Sequence, residues 1–160
     1  VDKFAVIVGP WWQNFMLGTS YLKQEKVSLG IFHLEKAYEK DNTNRTIAGE
    51  LLKWYTNKPD VNKAIVLGSI LVNEYPTNGL IHNSLAKAYI MKGSLTQALP
   101  NMQKALRLEP DNLAVWSTFL NYYATQKDKE NFTKWLQRIN KRDAGYLNQQ
   151  QIVRIMDSML

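Results

Sequence analysis

The chain has 160 residues, no cysteine and a formal net charge of +6 at pH 7. Without cysteine it can form no disulfide, thiolate nucleophile or cysteine-ligated metal site. Hydrophobic residues make up 45% of the sequence, which suffices for one folded domain. No apolar run approaches the roughly 18 residues that a membrane-spanning helix needs, so direct membrane insertion of this segment is not expected.

The N-terminal residues 1–9 are apolar, but they are too few to cross a bilayer and lack the pattern of a signal peptide. The chain begins with Val1 rather than Met, so we expect an upstream segment such as a signal or an anchor. The sequence favours a soluble domain and leaves its compartment open between the cytoplasm and the periplasm.

A period of 34 residues runs through the chain. Tyrosines recur at this spacing, each preceded four positions earlier by a large apolar residue: Leu17 and Tyr21, Leu51 and Tyr55, Leu85 and Tyr89, Phe119 and Tyr123. Such a period indicates a repeat array. Within each row, apolar residues at spacings of three and four predict two amphipathic helices. The rows are 11–44, 45–78, 79–112 and 113–146, and the amphipathic segment 147–159 is predicted to be a capping helix.

Several residues predict where these helices begin and end. Asp60 is a good N-cap for the second helix of row two, and Asp111 or Asn112 can cap the first helix of row four. Pro76 and Pro110 are predicted to end the second helices of rows two and three.

Row three contains the clearest turn between two helices. Gly93 is a candidate for a left-handed conformation, and Ser94 with Gln97 forms a predicted capping box for the second helix. Pro100 falls inside that helix and predicts a kink.

The same row, GLIHNSLAKAYIMKGSLTQALPNMQKALRLEPDN, carries a set of marked residues: Leu85, Ala86, Tyr89, Gly93, Ala98, Ala105 and Pro110. With them it resembles the tetratricopeptide repeat (TPR) family. The resemblance extends over about 11–146 and is weakest in row four, where Phe132 and Leu120 replace small residues. It implies an all-α fold, a right-handed α-solenoid of stacked antiparallel helix pairs, as a single domain over 1–160.

The resemblance also implies a concave groove lined by the first helix of each row. Carried over position by position, the groove residues are Trp12, Phe15, Thr19, Leu22, Lys23, Lys53, Asn57, Asn83, Lys87, Ile90, Met91 and Asn121. This set suits an extended or helical segment with apolar anchors and some negative charge. Alternatively, Trp12 and Phe15 pack under the N-terminal segment or against Leu34, and the next row partly covers Ile90 and Met91.

No catalytic, metal or cofactor site is predicted. His33 and His82 are interpreted as structural or surface residues, because neither has a partner at metal-ligand spacing. The glycines Gly18, Gly30, Gly49 and Gly68 are isolated, so they form no phosphate loop and are expected to allow close helix packing. The lysine, asparagine and arginine clamp of chaperone-binding members is absent, since its positions hold Phe15, Thr19, Glu50, Leu80 and Ser84.

These observations favour a noncatalytic protein-binding scaffold or adaptor. The alternatives are a subunit or assembly factor of a bacterial envelope, secretion or maturation complex, and a module that self-associates into a homo-oligomer. The densest basic patch comprises Lys127, Lys129, Lys134, Arg138, Lys141 and Arg142. We interpret it as a solvated face, or else as a surface that attracts an acidic partner; no nucleic-acid motif accompanies it.

Overall fold

The computed structural model describes residues 10–57, 60–157 and 159–160, in which the regular structure is helical and no strand occurs. The helices are α1 (Trp11–Lys23), α2 (Val27–Lys40), α3 (Arg45–Asn57), α4 (Val61–Glu74), α5 (Gly79–Lys92), α6 (Leu95–Leu108), α7 (Leu113–Thr125), α8 (Lys129–Arg142) and α9 (Gln149–Asp157). The chain divides into two compact units. Unit 1 contains α1 to α3, and unit 2 contains α4 to α9.

The helix starts follow the period of the sequence. Helices α1, α3, α5 and α7 begin at Trp11, Arg45, Gly79 and Leu113, the first residues of the four predicted rows. Within unit 1, α1 packs on α2; within unit 2, α5 packs on α6 and α7 packs on α8. This is the all-α helical-repeat arrangement expected from the sequence. That the whole of 1–160 behaves as a single domain stays a prediction.

Most of the predicted helix caps are confirmed. The carboxylate of Asp60 accepts a hydrogen bond from the Lys63 backbone N–H at 3.2 Å. Asn112, rather than Asp111, caps α7 by accepting from the Ala114 N–H at 2.9 Å. Gly93 is left-handed, with φ of 79°. Helices α4 and α6 end two residues before Pro76 and Pro110, as predicted.

The predicted capping box at Ser94 and Gln97 does not form, so this prediction is wrong. The Ser94 side chain makes no capping hydrogen bond. The Gln97 N–H is engaged instead by the backbone carbonyl of Ser94, at 3.1 Å. Helix α6 continues through Pro100 to Leu108.

A capping box that the sequence analysis missed begins α9. The Gln151 N–H donates to Asn148 Oδ1 at 2.8 Å, and the Asn148 N–H donates to Gln151 Oε1 at 3.0 Å. Because these two bonds satisfy exposed donors at the helix start, α9 begins at Gln149, two residues later than predicted.

The α1–α2 pair of unit 1 is held at close range by glycine. A Cβ atom on Gly18 would lie 3.0 Å from the Gly30 carbonyl oxygen, and one on Gly30 would lie 3.1 Å from the Gly18 carbonyl oxygen. The expected close packing is therefore confirmed at these two positions. The same expectation is wrong at Gly49, where an added Cβ would meet no atom within 4 Å because this face of α3 is open. Gly68 is buried in α4.

Unit 2 has a core of larger side chains. Phe132 and Leu120, which stand where small residues were expected, are 2% and 0% exposed. They pack in one cluster with Trp116 and Ile139, and with Met159 after α9. The large residues of row four thus fill the space between α7, α8 and the C-terminal segment.

Candidate functional site

An open recess of about 350 Å³ lies between α1 and α3 in unit 1. Its lining from α1 is Phe15, Thr19, Leu22 and Lys23, and from α3 it is Thr46, Glu50, Lys53 and Trp54. The structure therefore brings five of the predicted groove residues together: Phe15, Thr19, Leu22, Lys23 and Lys53. We call this the unit 1 recess.

The unit 1 recess has an apolar base and a basic rim. Leu22 is buried, while Phe15 and Trp54 are half-buried and present ring surface to the opening. On the rim, Lys23 is exposed, and the Lys53 ammonium lies 3.6 Å from a Glu50 carboxylate oxygen. Two lysines against one glutamate leave the rim net positive.

Trp54 is a lining residue that the sequence analysis did not single out. It sits one position beyond Lys53, outside the positions carried over from the TPR resemblance. The sequence signal that could have identified Trp54 is its position directly after the predicted groove residue Lys53. The rotation of α3 about its axis, which only the structure gives, brings the ring into the recess.

The remaining predicted residues of unit 1 lie at the ends of these helices. Trp12 is 51% exposed, so it does not pack in the described core. The Phe15 ring lies edge-on to that of Trp11, with centroids 6.2 Å apart. Asn57 is exposed at the end of α3. The alternative that Trp12 and Phe15 pack under residues 1–9 falls outside the described residues.

The predicted residues of α5 in unit 2 differ widely in exposure. Asn83 is 3% exposed, and its Nδ2 donates to the Ala114 carbonyl at 3.5 Å, so it ties α5 to α7. Lys87 is half-buried, and burial lowers the pKa of its ammonium. Ile90 packs against the α5–α7 core, whereas Met91 is 45% exposed.

Asn121 lies in another recess of unit 2, between α7 and α9, of about 560 Å³. Leu120, Tyr146 and Ile155 are among its other lining residues. We call this the α7–α9 recess. Asn121 was predicted to line a groove, whereas α9 was predicted only to cap the array.

Both histidines have structural contacts. His82 Nδ1 lies 3.0 Å from Asn101 Oδ1, and its Nε2 lies 3.1 Å from the Pro76 carbonyl. His33 is buried, with Nδ1 3.1 Å from Asn14 Oδ1, and burial lowers its pKa. Across the described part of the chain, no group of metal-ligating side chains occurs, and no helix has the length and hydropathy to cross a membrane.

Two members of the predicted basic patch are engaged within α8 and its neighbours. The Arg138 guanidinium lies 4.3 Å from the ring centroid of Trp116 and 5.0 Å from that of Trp135. Lys134 pairs with Glu130 at 2.6 Å. Arg138 and Lys134 of the basic patch therefore make contacts within unit 2 that stabilise its surface.

No profile of a known protein family matches the sequence. No curated protein matches it either. Solved structures do match, at low identity. The chain is similar to MamA MSR-1 with a TM-score of 0.72 and 21% identity, over 85% of this chain and 78% of that one.

Two further matches carry the repeat in their names. TTC0263, a thermophilic TPR protein of Thermus thermophilus, aligns with a TM-score of 0.74 and 18% identity, over 93% of this chain and 80% of that one. The C-terminal part of a TPR repeat-containing protein from Cytophaga hutchinsonii aligns with a TM-score of 0.63 and 18% identity, over 86% and 54% respectively. With its 34-residue helix period, the chain therefore has the tetratricopeptide repeat fold.

Proposed function

We propose that this protein is a noncatalytic scaffold that binds a peptide or helical segment of a partner protein. The observation that carries the proposal is the unit 1 recess, where apolar and basic side chains of α1 and α3 converge on one opening. Neither this recess nor the α7–α9 recess is lined by a histidine or by a pair of carboxylates. The described residues of both thus supply binding surface without an acid–base pair.

The chemistry of the unit 1 recess indicates the character of the bound segment. Phe15, Leu22 and Trp54 offer a site for one apolar anchor residue, and such buried anchors supply most of the affinity in peptide recognition. The ammonium groups of Lys23 and Lys53 stand on the rim, where they attract negative charge and orient the segment. We therefore expect the partner to present an apolar side chain flanked by acidic residues.

Thr19 contributes shape rather than a donor. Its hydroxyl already donates to the Met16 carbonyl at 3.0 Å. The other side-chain donors of the unit 1 recess are the ammonium groups of the two lysines, the hydroxyl of Thr46 and the indole N–H of Trp54. The expected preference is for anionic over neutral polar groups beside the anchor.

The test is a selection of peptides from a random display library on the purified full chain, followed by affinity measurements by fluorescence polarisation. The double variant Lys23→Glu with Lys53→Glu should weaken binding of the selected peptides by about tenfold or more, because two rim attractions become repulsions. The matched control is Lys26→Glu with Lys40→Glu, which changes net charge equally on exposed residues outside the recess.

Nuclear magnetic resonance locates the binding. The indole signal of Trp54, assigned with a Trp54→Phe variant, should shift when a selected peptide is added, whereas that of Trp135 in unit 2 should stay in place. Equal binding by both double variants, or a selection that yields no peptide, would refute the proposed function.

A further inference from the structure

The dipeptide Asn78–Gly79, at the start of α5, is the single Asn-Gly pair in the sequence. In such a pair the backbone nitrogen of the glycine can attack the side-chain Cγ of the asparagine, because glycine has no side chain that obstructs the approach. We propose that Asn78 is a site of spontaneous deamidation that the native fold closes and that unfolding of the first turn of α5 opens. The pair belongs to neither recess, so the proposal does not rest on the proposed function.

The reaction needs only the chain and water. The Gly79 nitrogen loses its proton and bonds to Asn78 Cγ, and the side-chain amide nitrogen leaves as ammonia, which gives a five-membered succinimide ring. Water then adds to one of the two ring carbonyls and breaks its bond to the Gly79 nitrogen, which recovers a proton. Opening at Cγ gives aspartate. Opening at the main-chain carbonyl gives isoaspartate, in which the backbone runs through Cβ and Cγ.

The packing of α5 explains why this labile pair is present. Asn78 is the N-cap of α5, and its Oδ1 accepts hydrogen bonds from the Leu80 and Ile81 N–H groups at 3.1 Å and 3.3 Å. Gly79 is buried against the end of α6, where an added Cβ would lie 3.0 Å from Leu108 Cβ. The fold therefore uses a capping side chain and the smallest residue at adjacent positions.

The native conformation of Asn78 blocks ring closure. The ring requires Asn78 Cβ and the Gly79 nitrogen to be nearly eclipsed about the Cα–C bond of Asn78. With a ψ of 101°, Asn78 holds these two atoms on nearly opposite sides of that bond. Rotation to the eclipsed arrangement would break the cap and the hydrogen bond from the His82 N–H to the Asn78 carbonyl, which is 3.3 Å long. The ring therefore closes only after the first turn of α5 has opened.

The two products of deamidation affect α5 differently. Aspartate keeps the backbone, supplies an oxygen to the same N–H groups and carries a charge that suits a helix N-terminus. Isoaspartate adds a methylene group to the backbone and converts the former main-chain carbonyl into a free carboxylate. The cap and the position of Gly79 against α6 are then lost. A molecule that opens and forms isoaspartate cannot restore the native start of α5, so deamidation makes a transient opening permanent.

The experiment incubates the full chain at mildly alkaline pH, with and without a denaturing concentration of guanidinium chloride. Peptide mapping by mass spectrometry follows the replacement of the Asn78 amide by a carboxylate, and synthetic reference peptides separate isoaspartate from aspartate by chromatographic retention. Deamidation at Asn78 should be about tenfold or more faster in denaturant, because the population of opened molecules limits the reaction in the folded protein. Equal rates, or faster deamidation at another asparagine in denaturant, would overturn the proposal.

Hydrogen exchange tests whether the opening is that of the first turn of α5. Across a series of guanidinium concentrations, the exchange of the Leu80 and Ile81 amides should accelerate together with deamidation, because both require loss of the same cap. Deamidation that remains fast while these amides stay protected would show that ring closure needs no opening.

Two variants separate the chemistry from the cap. Asn78→Gln, whose longer side chain would have to close a larger ring, should abolish fast deamidation in denaturant. Asn78→Asp should unfold at close to the wild-type denaturant concentration, whereas the isoaspartate form purified from the incubation should unfold at a lower one or fail to refold. An isoaspartate form as stable as Asn78→Asp would contradict the proposed loss of the native helix start.

Discussion

The α1–α2 pair of unit 1 packs through glycine, whereas the α7–α8 pair of unit 2 packs through large rings. In the first pair, Gly18 and Gly30 lie against each other's carbonyl oxygens. In the second, the rings of Phe119 and Trp135 stack with centroids 4.4 Å apart and an interplanar angle of 15°. Phe132 fills the position where the repeat pattern has a small residue.

This difference shows that the period and the packing distance are separate properties of a helical repeat. A 34-residue period with helix breaks sets which helices pair, because each break fixes where one helix ends and the next begins. The side chains between the helices then set how the pair packs, and both glycine and stacked aromatic rings give a filled interface. Substitutions at these positions should therefore affect each pair locally.

The largest effect is expected from Phe132→Ala. This side chain is 2% exposed, and its loss would leave a cavity in the α7–α8 core. We expect a loss of about 3–5 kcal/mol in the free energy of unfolding, as for other buried Phe→Ala changes. Hydrogen exchange should accelerate over 113–142 and remain unchanged over 11–57. Phe32→Ala, at a ring that is 41% exposed on α2, is the matched control and should cost less.

In unit 1 the opposite change, which adds volume to a helix contact, is Gly30→Ala. The new methyl group would lie 2.5 Å from Leu22 Cγ and 3.1 Å from the Gly18 carbonyl oxygen, so the Leu22 side chain must shift or the helices must move apart. We expect a destabilisation of about 1–3 kcal/mol, typical of an overpacked core, with faster exchange over 11–40.

Gly49→Ala is the control for helix propensity, since its methyl group meets no atom within 4 Å. It should stabilise α3 by about 0.5–1 kcal/mol. If both alanine variants stabilise the protein in urea denaturation, the glycine contact does not constrain the α1–α2 pair.

Helix boundaries were predictable because they depend on residues close in sequence. Asp60, Asn112 and Gly93 act on backbone groups one to three residues away, or through their own conformation, and the structure confirms all three. The Ser94 capping box failed because a backbone carbonyl could satisfy the same N–H. The capping box of Asn148 and Gln151 also depends on residues close in sequence, and the spacing of three between an Asn and a Gln is the pattern that could have predicted it.

The recess residues were only partly predictable because they depend on distances between helices. Position in the repeat identified Phe15, Lys23 and Lys53, which meet in the unit 1 recess. It also selected Asn83, which is buried because the approach of α5 to α7 lets its amide reach a carbonyl of the next first helix. No periodicity indicates that approach, nor does it indicate the rotation that adds Trp54 to the lining.

A smaller effect on stability is expected from Arg138→Gln in the α7–α8 pair. The guanidinium lies over the rings of Trp116 and Trp135, and an exposed cation–π contact contributes about 0.5–1 kcal/mol. Chemical denaturation should show a loss of that order, larger than the loss for Arg142→Gln, which removes the same charge from the end of the helix. Equal losses would mean that charge, rather than ring contact, accounts for the effect.

The smallest expected effect is a pH dependence of stability that is confined to the α1–α2 pair. His33 is buried between α1 and α2, beside Asn14 and stacked on Tyr21 with ring centroids 5.4 Å apart. Burial lowers its pKa below the ordinary value of 6.5, so the unfolded chain binds a proton more readily than the folded one. Stability from this group is therefore present above pH 6.5 and is lost as the pH falls through the lowered pKa of the folded state.

The measurement is urea denaturation of the wild type and of His33→Gln, which keeps an N–H donor for Asn14, at pH 7.5 and pH 5.5. The wild type should lose more stability on acidification than the variant, because only the wild type must take up this proton on unfolding. Hydrogen exchange should place the difference over 11–40 rather than over 113–142. Parallel pH profiles for the two proteins would show that His33 binds its proton equally well in the folded and unfolded states, and that the close α1–α2 contact imposes no electrostatic penalty on it.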